Sequence, residues 1–133
     1  MKTKKKILIV VGAVLLLGLA VGAKFLIEVS DYQKQIATMQ INDIDLTSVA
    51  DGTYEGAYDA KLIKVKVLVA VQDHKISNIE LVQHENGKGA PAEAVIPEVI
   101  ATQSLEVEAV SGATNSSKVI LKSIELALNS GSI

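Results

Sequence analysis

The chain has 133 residues, 49% of them hydrophobic, which bounds it to one small core of about 100 residues plus an appendage. The absence of cysteine excludes disulfides, thiolate metal sites, thioether haem attachment and an acylated lipoprotein cysteine, so any redox group must be organic or borrowed. Thirteen Lys and Arg stand against fifteen Asp and Glu, but Lys2, Lys4, Lys5 and Lys6 cluster together and leave the remainder acidic, which argues against a nucleic-acid surface on the folded part.

From Ile7 to Ala23 the run ILIVVGAVLLLGLAVGA has no polar side chain. As a helix it spans roughly 26 Å at ~1.5 Å per residue, against ~30 Å of hydrocarbon. Lys24 can snorkel and Phe25 to Ile27 extend the apolar stretch, which closes the difference. Residues 1–27 are therefore expected to be a lysine cluster and a transmembrane anchor in the cell membrane, with the N-terminus cytoplasmic and the rest of the chain outside. A signal peptide cleaved near Ala20-Val21-Gly22, giving a secreted domain, satisfies the same pattern and stays open. Residues 28–47 contain no glycine or proline and space Val29, Ile36, Met39 and Ile41 only loosely, as a partly helical stalk would.

Residues 48–133 form the domain, and its first strand lies in DGTYEGAY, where Tyr54, Gly56 and Tyr58 alternate with Thr53, Glu55 and Ala57. In KLIKVKVLVAVQ, Val65, Val67, Val69 and Val71 alternate with Lys64, Lys66, Leu68 and Ala70, the clearest strand pattern in the chain. Asp73, His74 and Lys75 supply a hairpin turn into a third strand, with Ile79, Leu81 and Gln83 facing opposite to Asn78, Glu80 and Val82. Gly87 and Gly89 flank Lys88 in a loop expected to be mobile. Ala92 to Thr102 reads as helical, with a kink or a junction of two short helices expected at Pro97. Leu105, Val107 and Ala109 alternate with Glu106, Glu108 and Val110 as a fourth strand. A final helix carries Val119, Ile120, Ser123, Ile124, Ala127 and Leu128 on one face and ends near Asn129 and Gly131. The fold class expected is α+β: a small antiparallel sheet of about four strands with two helical segments, preceded by the transmembrane helix.

Between the fourth strand and the last helix lies VSGATNSSKV. A strand, a glycine turn and a helix start place backbone N–H groups around Thr114 to Ser117 at a positive helix terminus, which favours a phosphate. Gly112 and Ala113 keep the turn narrow, and Asn115, Ser116 and Ser117 offer further donors and caps. From the residues alone an ordinary helix N-cap is the plainer reading, and the spacing does not by itself reveal a cofactor.

Several segments in this order resemble one family. DGTYEGAY at 51–58, the valine strand with its hairpin, QHENGKG at 83–89 and VEAVSGATNSS at 107–117 are similar to the FMN-binding domain family, over about residues 48–130. That family includes the flavin-carrying C subunit of the sodium-pumping NADH:quinone oxidoreductase, the G subunit of Rnf complexes, and small membrane-tethered or secreted flavoproteins. In it, the threonine ending S-G-A-T carries FMN through a phosphoester, installed by a flavin transferase that uses FAD and magnesium. The resemblance implies Thr114 as the attachment residue, with Ser111, Gly112 and Ala113 as the turn before it. The family motif has an aspartate six residues ahead of the threonine, where this chain has Glu108, one methylene longer; covalent and non-covalent FMN both stay open on that exchange. His74 stands where family hairpins commonly carry glycine.

His84, with Glu85, is a further candidate for contact with the flavin, against the plainer reading of a solvated strand-end residue. No third ligand joins His74, His84 and Glu85, so no metal site is expected. Thr114 and its neighbouring serines lack a His base with a carboxylate orienter, and Lys88 lacks P-loop spacing, so neither a hydrolase nor a nucleotide loop is expected. Tyr54 and Tyr58 read as packing residues that could also stack on a flavin ring. The function expected is an anchored, extracytoplasmic FMN carrier acting as an electron-transfer protein rather than a stand-alone enzyme. Its partners would be a quinone-linked or NADH-linked dehydrogenase as donor and an extracytoplasmic reductase or oxidant as acceptor. The alternative is a non-redox flavin- or ligand-binding module tethered to a membrane partner.

Overall fold

The structure is a computed structural model that describes residues 2–85 and 90–132, with the side chain of Glu85 outside that set. The loop expected to be mobile, residues 86–90, lies outside the described residues except for Ala90, which opens a 3-10 segment. In chain order the elements are α1 (Lys2–Thr38), β1 (Gly52–Asp59), β2 (Lys64–Gln72), β3 (Lys75–Glu85), α2 (Val95–Thr102) and α3 (Thr114–Ser130), with short 3-10 segments at Leu46–Ser48 and Ala90–Ala94. The architecture is α+β, a three-stranded antiparallel sheet with helices and a long apolar N-terminal helix.

No proline interrupts α1, and it runs unbroken for 37 residues. At ~1.5 Å per residue that is about 55 Å, so the stalk is helical as far as Thr38. Its large apolar side chains from Ile7 to Ile27 are uncovered, and the helix is long and apolar enough to cross a membrane.

The sheet has the order β1-β2-β3. Val65, Val67, Val69 and Val71 are buried on one face of β2, as the alternation requires, while Lys64 and Lys66 sit on the other near Asp59 and Glu55. Asp73 and His74 both have positive φ, 52° and 60°, and form a two-residue turn of the kind that matches strand twist; His is among the side chains that tolerate this region. Lys75 pairs with Gln72 and so belongs to the strand.

Two irregularities break the alternation of β3. The register shifts between Ala70/Val71 and between Lys66/Val67, which leaves Ser77 and Val82 as extra residues. The second shift corrects the expected facing of the strand end. Leu81 pairs with inward Val67, but Gln83 pairs with outward Lys66, and His84 pairs with inward Val65. The extra residue at Val82 thus turns His84, rather than Gln83, toward the core.

The expected fourth strand is also corrected. Residues 105–110 form no strand and do not join the sheet, and side chains take up the backbone donors at the two ends of the segment: Leu105 N–H donates to Asp43 Oδ1 at 3.1 Å and Val110 N–H to Ser117 Oγ at 3.0 Å. Pro97 causes no break, since it is the third residue of α2, where no i→i−4 bond is due; the junction of two helical pieces falls instead between Ala94 and Val95.

α3 is the centre of the core. Val119, Ile120, Ile124, Ala127 and Leu128 are fully or almost fully buried, together with Ser117 and Ser123. The small residues let the helix lie directly on β1. A Cβ on Gly56 would come within 1.9 Å of the Ser123 carbonyl oxygen. At the far end Tyr54 covers Gly131, and its hydroxyl donates to the Ala50 carbonyl at 2.5 Å, which identifies Tyr54 as a packing residue. The segment after the apolar helix is docked rather than loose: Tyr32, Ile36, Met39, Ile41, Ile44 and Leu46 all pack into this core.

Candidate functional site

The site grows from the turn that starts α3. Ala113 N–H donates to the Val110 carbonyl at 2.9 Å, closing a four-residue turn with Gly112 at its third position. Gly112 has φ +81°, which a type II turn requires there and which glycine adopts without strain. The turn is tied back by Ser117, whose hydroxyl donates to the Ala113 carbonyl at 2.8 Å and accepts from Val110 N–H at 3.0 Å.

α3 then begins at Thr114 with alanine as its N-cap, so no side chain caps the helix. Ser117 N–H, bonded to the Ala113 carbonyl at 3.0 Å, makes the first i→i−4 bond. The N–H groups of Thr114, Asn115 and Ser116 precede it and have no intrahelical acceptor. No acidic residue occupies the first turn of the helix. Thr114 is exposed, so its hydroxyl stands beside unsatisfied donors at the positive end of a 17-residue helix. A phosphate ester is the group this donor set suits.

The other site residues fall into distinct places. Ser111 and Gly112 are exposed on the turn and Ala113 is buried beneath it. Asn115 is exposed, and its amide donates to the Tyr32 hydroxyl of α1 at 2.8 Å. The Ser116 side chain is buried, which leaves its backbone N–H as what it can offer. Glu108 is exposed on the segment leading into the turn. Among the described residues, no carboxylate or imidazole hydrogen-bonds the Thr114 hydroxyl, and no cluster of His, Asp and Glu is suited to hold a metal.

His84 occupies a separate place, under the start of the helical layer. Its side chain is only 4% exposed, and Nδ1 lies 3.9 Å from Oε2 of Glu93 in the second 3-10 segment, an element that packs against α3. Burial holds the imidazole below its ordinary pKa of 6.5, outweighing the opposing pull of the Glu93 carboxylate. It is a core histidine, not a solvated one.

Asp43 and Gln103 escaped the sequence pattern, and Ser117, expected as a donor or cap, has a more specific part. Ser117 supports the turn from within the helix. Asp43, on the segment after α1, bonds Ser104 Oγ at 2.7 Å and Leu105 N–H. Burial opposes its charge, but the bonds from Leu105, Ser104 and Ile44 together hold its carboxyl below the usual range. Gln103, in the left-handed region at φ 54°, accepts from Ile76 N–H at 2.6 Å and donates to the Ile76 and Ile100 carbonyls at 3.0 and 2.7 Å. Ser117 acts locally, on Ala113 and Val110, and Gln103 had the local signal of a helix end, whereas Asp43 reaches Ser104 and Leu105 across 61 and 62 residues.

No curated protein and no solved structure matches the chain. The model of the FMN-binding domain family matches residues 63–129, half of the chain, from the end of the β1–β2 connection through β2, β3, α2 and nearly all of α3. That span contains the turn, Thr114 and the uncapped helix start. The chain belongs to the FMN-binding domain family, and FMN is its cofactor.

Proposed function

We propose that this chain is a membrane-anchored, extracytoplasmic flavoprotein that carries FMN as a phosphoester on Thr114. In this reading it relays electrons from a quinone-linked or NADH-linked dehydrogenase in the membrane to an external reductase or oxidant. The observation that carries the reading is the exposed Thr114 hydroxyl at the uncapped start of α3. An alanine N-cap leaves the donors that a capping side chain would ordinarily satisfy. Phosphate oxygens would complete them.

The chain's own residues divide the work. Thr114 supplies the ester oxygen, so that attachment from FAD forms its bond to the FMN phosphorus and releases AMP. Gly112 and the exposed Ser111 leave the approach to Thr114 open, while Ser117 holds the turn in place. Among the described residues no group bonded to Thr114 is suited to take its proton, which fits maturation by a separate flavin transferase that brings its own base and magnesium. FMN, when bound, supplies one-electron and two-electron chemistry, and the fold supplies its position and electrostatics.

Two experiments test the reading. Thr114→Ala, expressed with the transferase, should lose in-gel flavin fluorescence while keeping its fold by circular dichroism; fluorescence that survives denaturation would move the attachment elsewhere. Membranes carrying the flavinylated chain should reduce its flavin on addition of NADH or quinol and reoxidise it when an oxidant follows. A flavin that stays oxidised beside active dehydrogenases would favour a static binding module.

A further inference from the structure

Two contacts fix how α1 and α3 lie against each other. The Tyr32 hydroxyl accepts from the Asn115 amide at 2.8 Å, and the Gln40 carbonyl, just past the end of α1, accepts from Lys122 Nζ at 3.0 Å. Between them Ile36 is buried. Eight residues separate the two contacts on one side and seven on the other. Both rise in the same direction, so the end of α1 and the start of α3 run parallel. Lys122 also holds buried Glu125 at 2.9 Å, which ties the upper contact into the core.

This arrangement sets the polarity of the whole domain relative to the apolar helix. α1 has bare apolar side chains as far as Ile27, and is first covered at Glu28 and Val29. Tyr32 stands five residues beyond Ile27, or about 7.5 Å along the helix. The headgroup layer on one side of a bilayer is itself ~5–7 Å thick, the difference between ~30 Å of hydrocarbon and ~40–45 Å overall. A tilt of ~20° changes the height by less than ~1 Å. Asn115 therefore sits at the outer edge of that layer, with Thr114 one residue lower, and the rest of α3 points away.

We infer that the Thr114 end of α3 is the face of the domain that meets the lipid headgroup layer, held there by the Tyr32–Asn115 and Gln40–Lys122 contacts. The inference rests on α1 spanning a membrane; it does not require that flavin be attached. The surface that approaches the lipid carries Ser111, Gly112, Thr114 and Asn115, with the positive helix terminus and no acidic residue in the first turn of α3. A group borne by Thr114 is then presented to the bilayer surface, within reach of carriers dissolved in the membrane, and not swung freely on a tether.

The lack of cysteine makes a direct test simple. Ser111→Cys marks the turn and Asn129→Cys the other end of α3, about 22 Å beyond Thr114 along the helix rise; both positions are exposed. Each full-length variant, labelled with a fluorescent maleimide, is reconstituted into phosphatidylcholine vesicles with or without lipid bearing a nitroxide on its headgroup. Vesicle flotation is scored in the same samples. The label at position 111 should be quenched several-fold more strongly than that at 129. Adding Tyr32→Phe with Asn115→Ala should narrow the difference while the far-ultraviolet spectrum is unchanged. Equal quenching at the two sites in floated vesicles, or stronger quenching at 129, overturns the inference while leaving the anchor intact. Failure to float overturns the anchor and the inference with it.

Discussion

Gly56→Ala tests whether α3 lies directly on the sheet. The added Cβ would fall 1.9 Å from the Ser123 carbonyl oxygen, 2.7 Å from Ala127 N and 2.8 Å from Ala127 Cβ. Two of these atoms belong to the backbone of a buried helix and cannot rotate away. The shortest contact lies about 1.5 Å inside ordinary van der Waals separation, so the helix must rise or the strand must bow. Even a gap of ~0.5–1 Å forfeits a quarter to a half of each dispersion contact, and the residues affected include Ile120, Ile124 and Leu128, all essentially fully buried. Replacing glycine returns only ~0.5–1 kcal/mol of backbone entropy. We expect a net loss of about 3 kcal/mol, at the upper end of the cost of overpacking and a large part of the ~5–15 kcal/mol typical of a domain. Urea denaturation followed by circular dichroism measures it. Gly112→Ala is the comparison: no atom lies near its Cβ, so only its positive φ matters, with a cost of about 1–2 kcal/mol. A Gly56→Ala domain less than ~1 kcal/mol below the parent would show that the close helix–strand approach is wrong.

Three further changes probe the supports of the site. Ser117→Ala removes the link between turn and helix and leaves Val110 N–H without its acceptor, which should cost about 1–2 kcal/mol in urea denaturation and slow flavin loading. Gln103→Ala removes two hydrogen bonds to Ile76 at the start of β3 and one to Ile100 of α2, and should cost about 2–3 kcal/mol with amide exchange at Ile76 rising. His84 is held below its ordinary pKa by burial, so below pH 6.5 the unfolded chain binds the proton first; stability present above that value should erode as pH falls toward 5, and His84→Gln should flatten that slope in denaturation curves taken across the range.

What the sequence showed, and what it hid, divides by the range of the interaction. The valine alternation of β2 and the apolar face of α3 are local periodicities, and both appear as written. Thr114 at a helix start was legible because glycine turns and helix entries have local signatures. The facing of His84 was not, since it depends on one extra residue at Val82 in the pairing with β2. The stretch from Leu105 to Val110 alternates like a strand, yet Asp43 and Ser117 take the hydrogen bonds a sheet partner would have provided. Alternation does not specify a partner. The docking of Tyr32 on Asn115 joins residues 83 positions apart, and nothing in either neighbourhood announces it.

The central claim is the bond between FMN and Thr114, and peptide mass spectrometry of the chain matured in its native host tests it most directly. The account predicts that the peptide containing Thr114 carries the mass of FMN less one water, that fragmentation places the addition on Thr114, and that Thr114→Ala yields no modified peptide. An unmodified Thr114 in protein whose flavin comes away on denaturation, from cells with an active transferase, would contradict it.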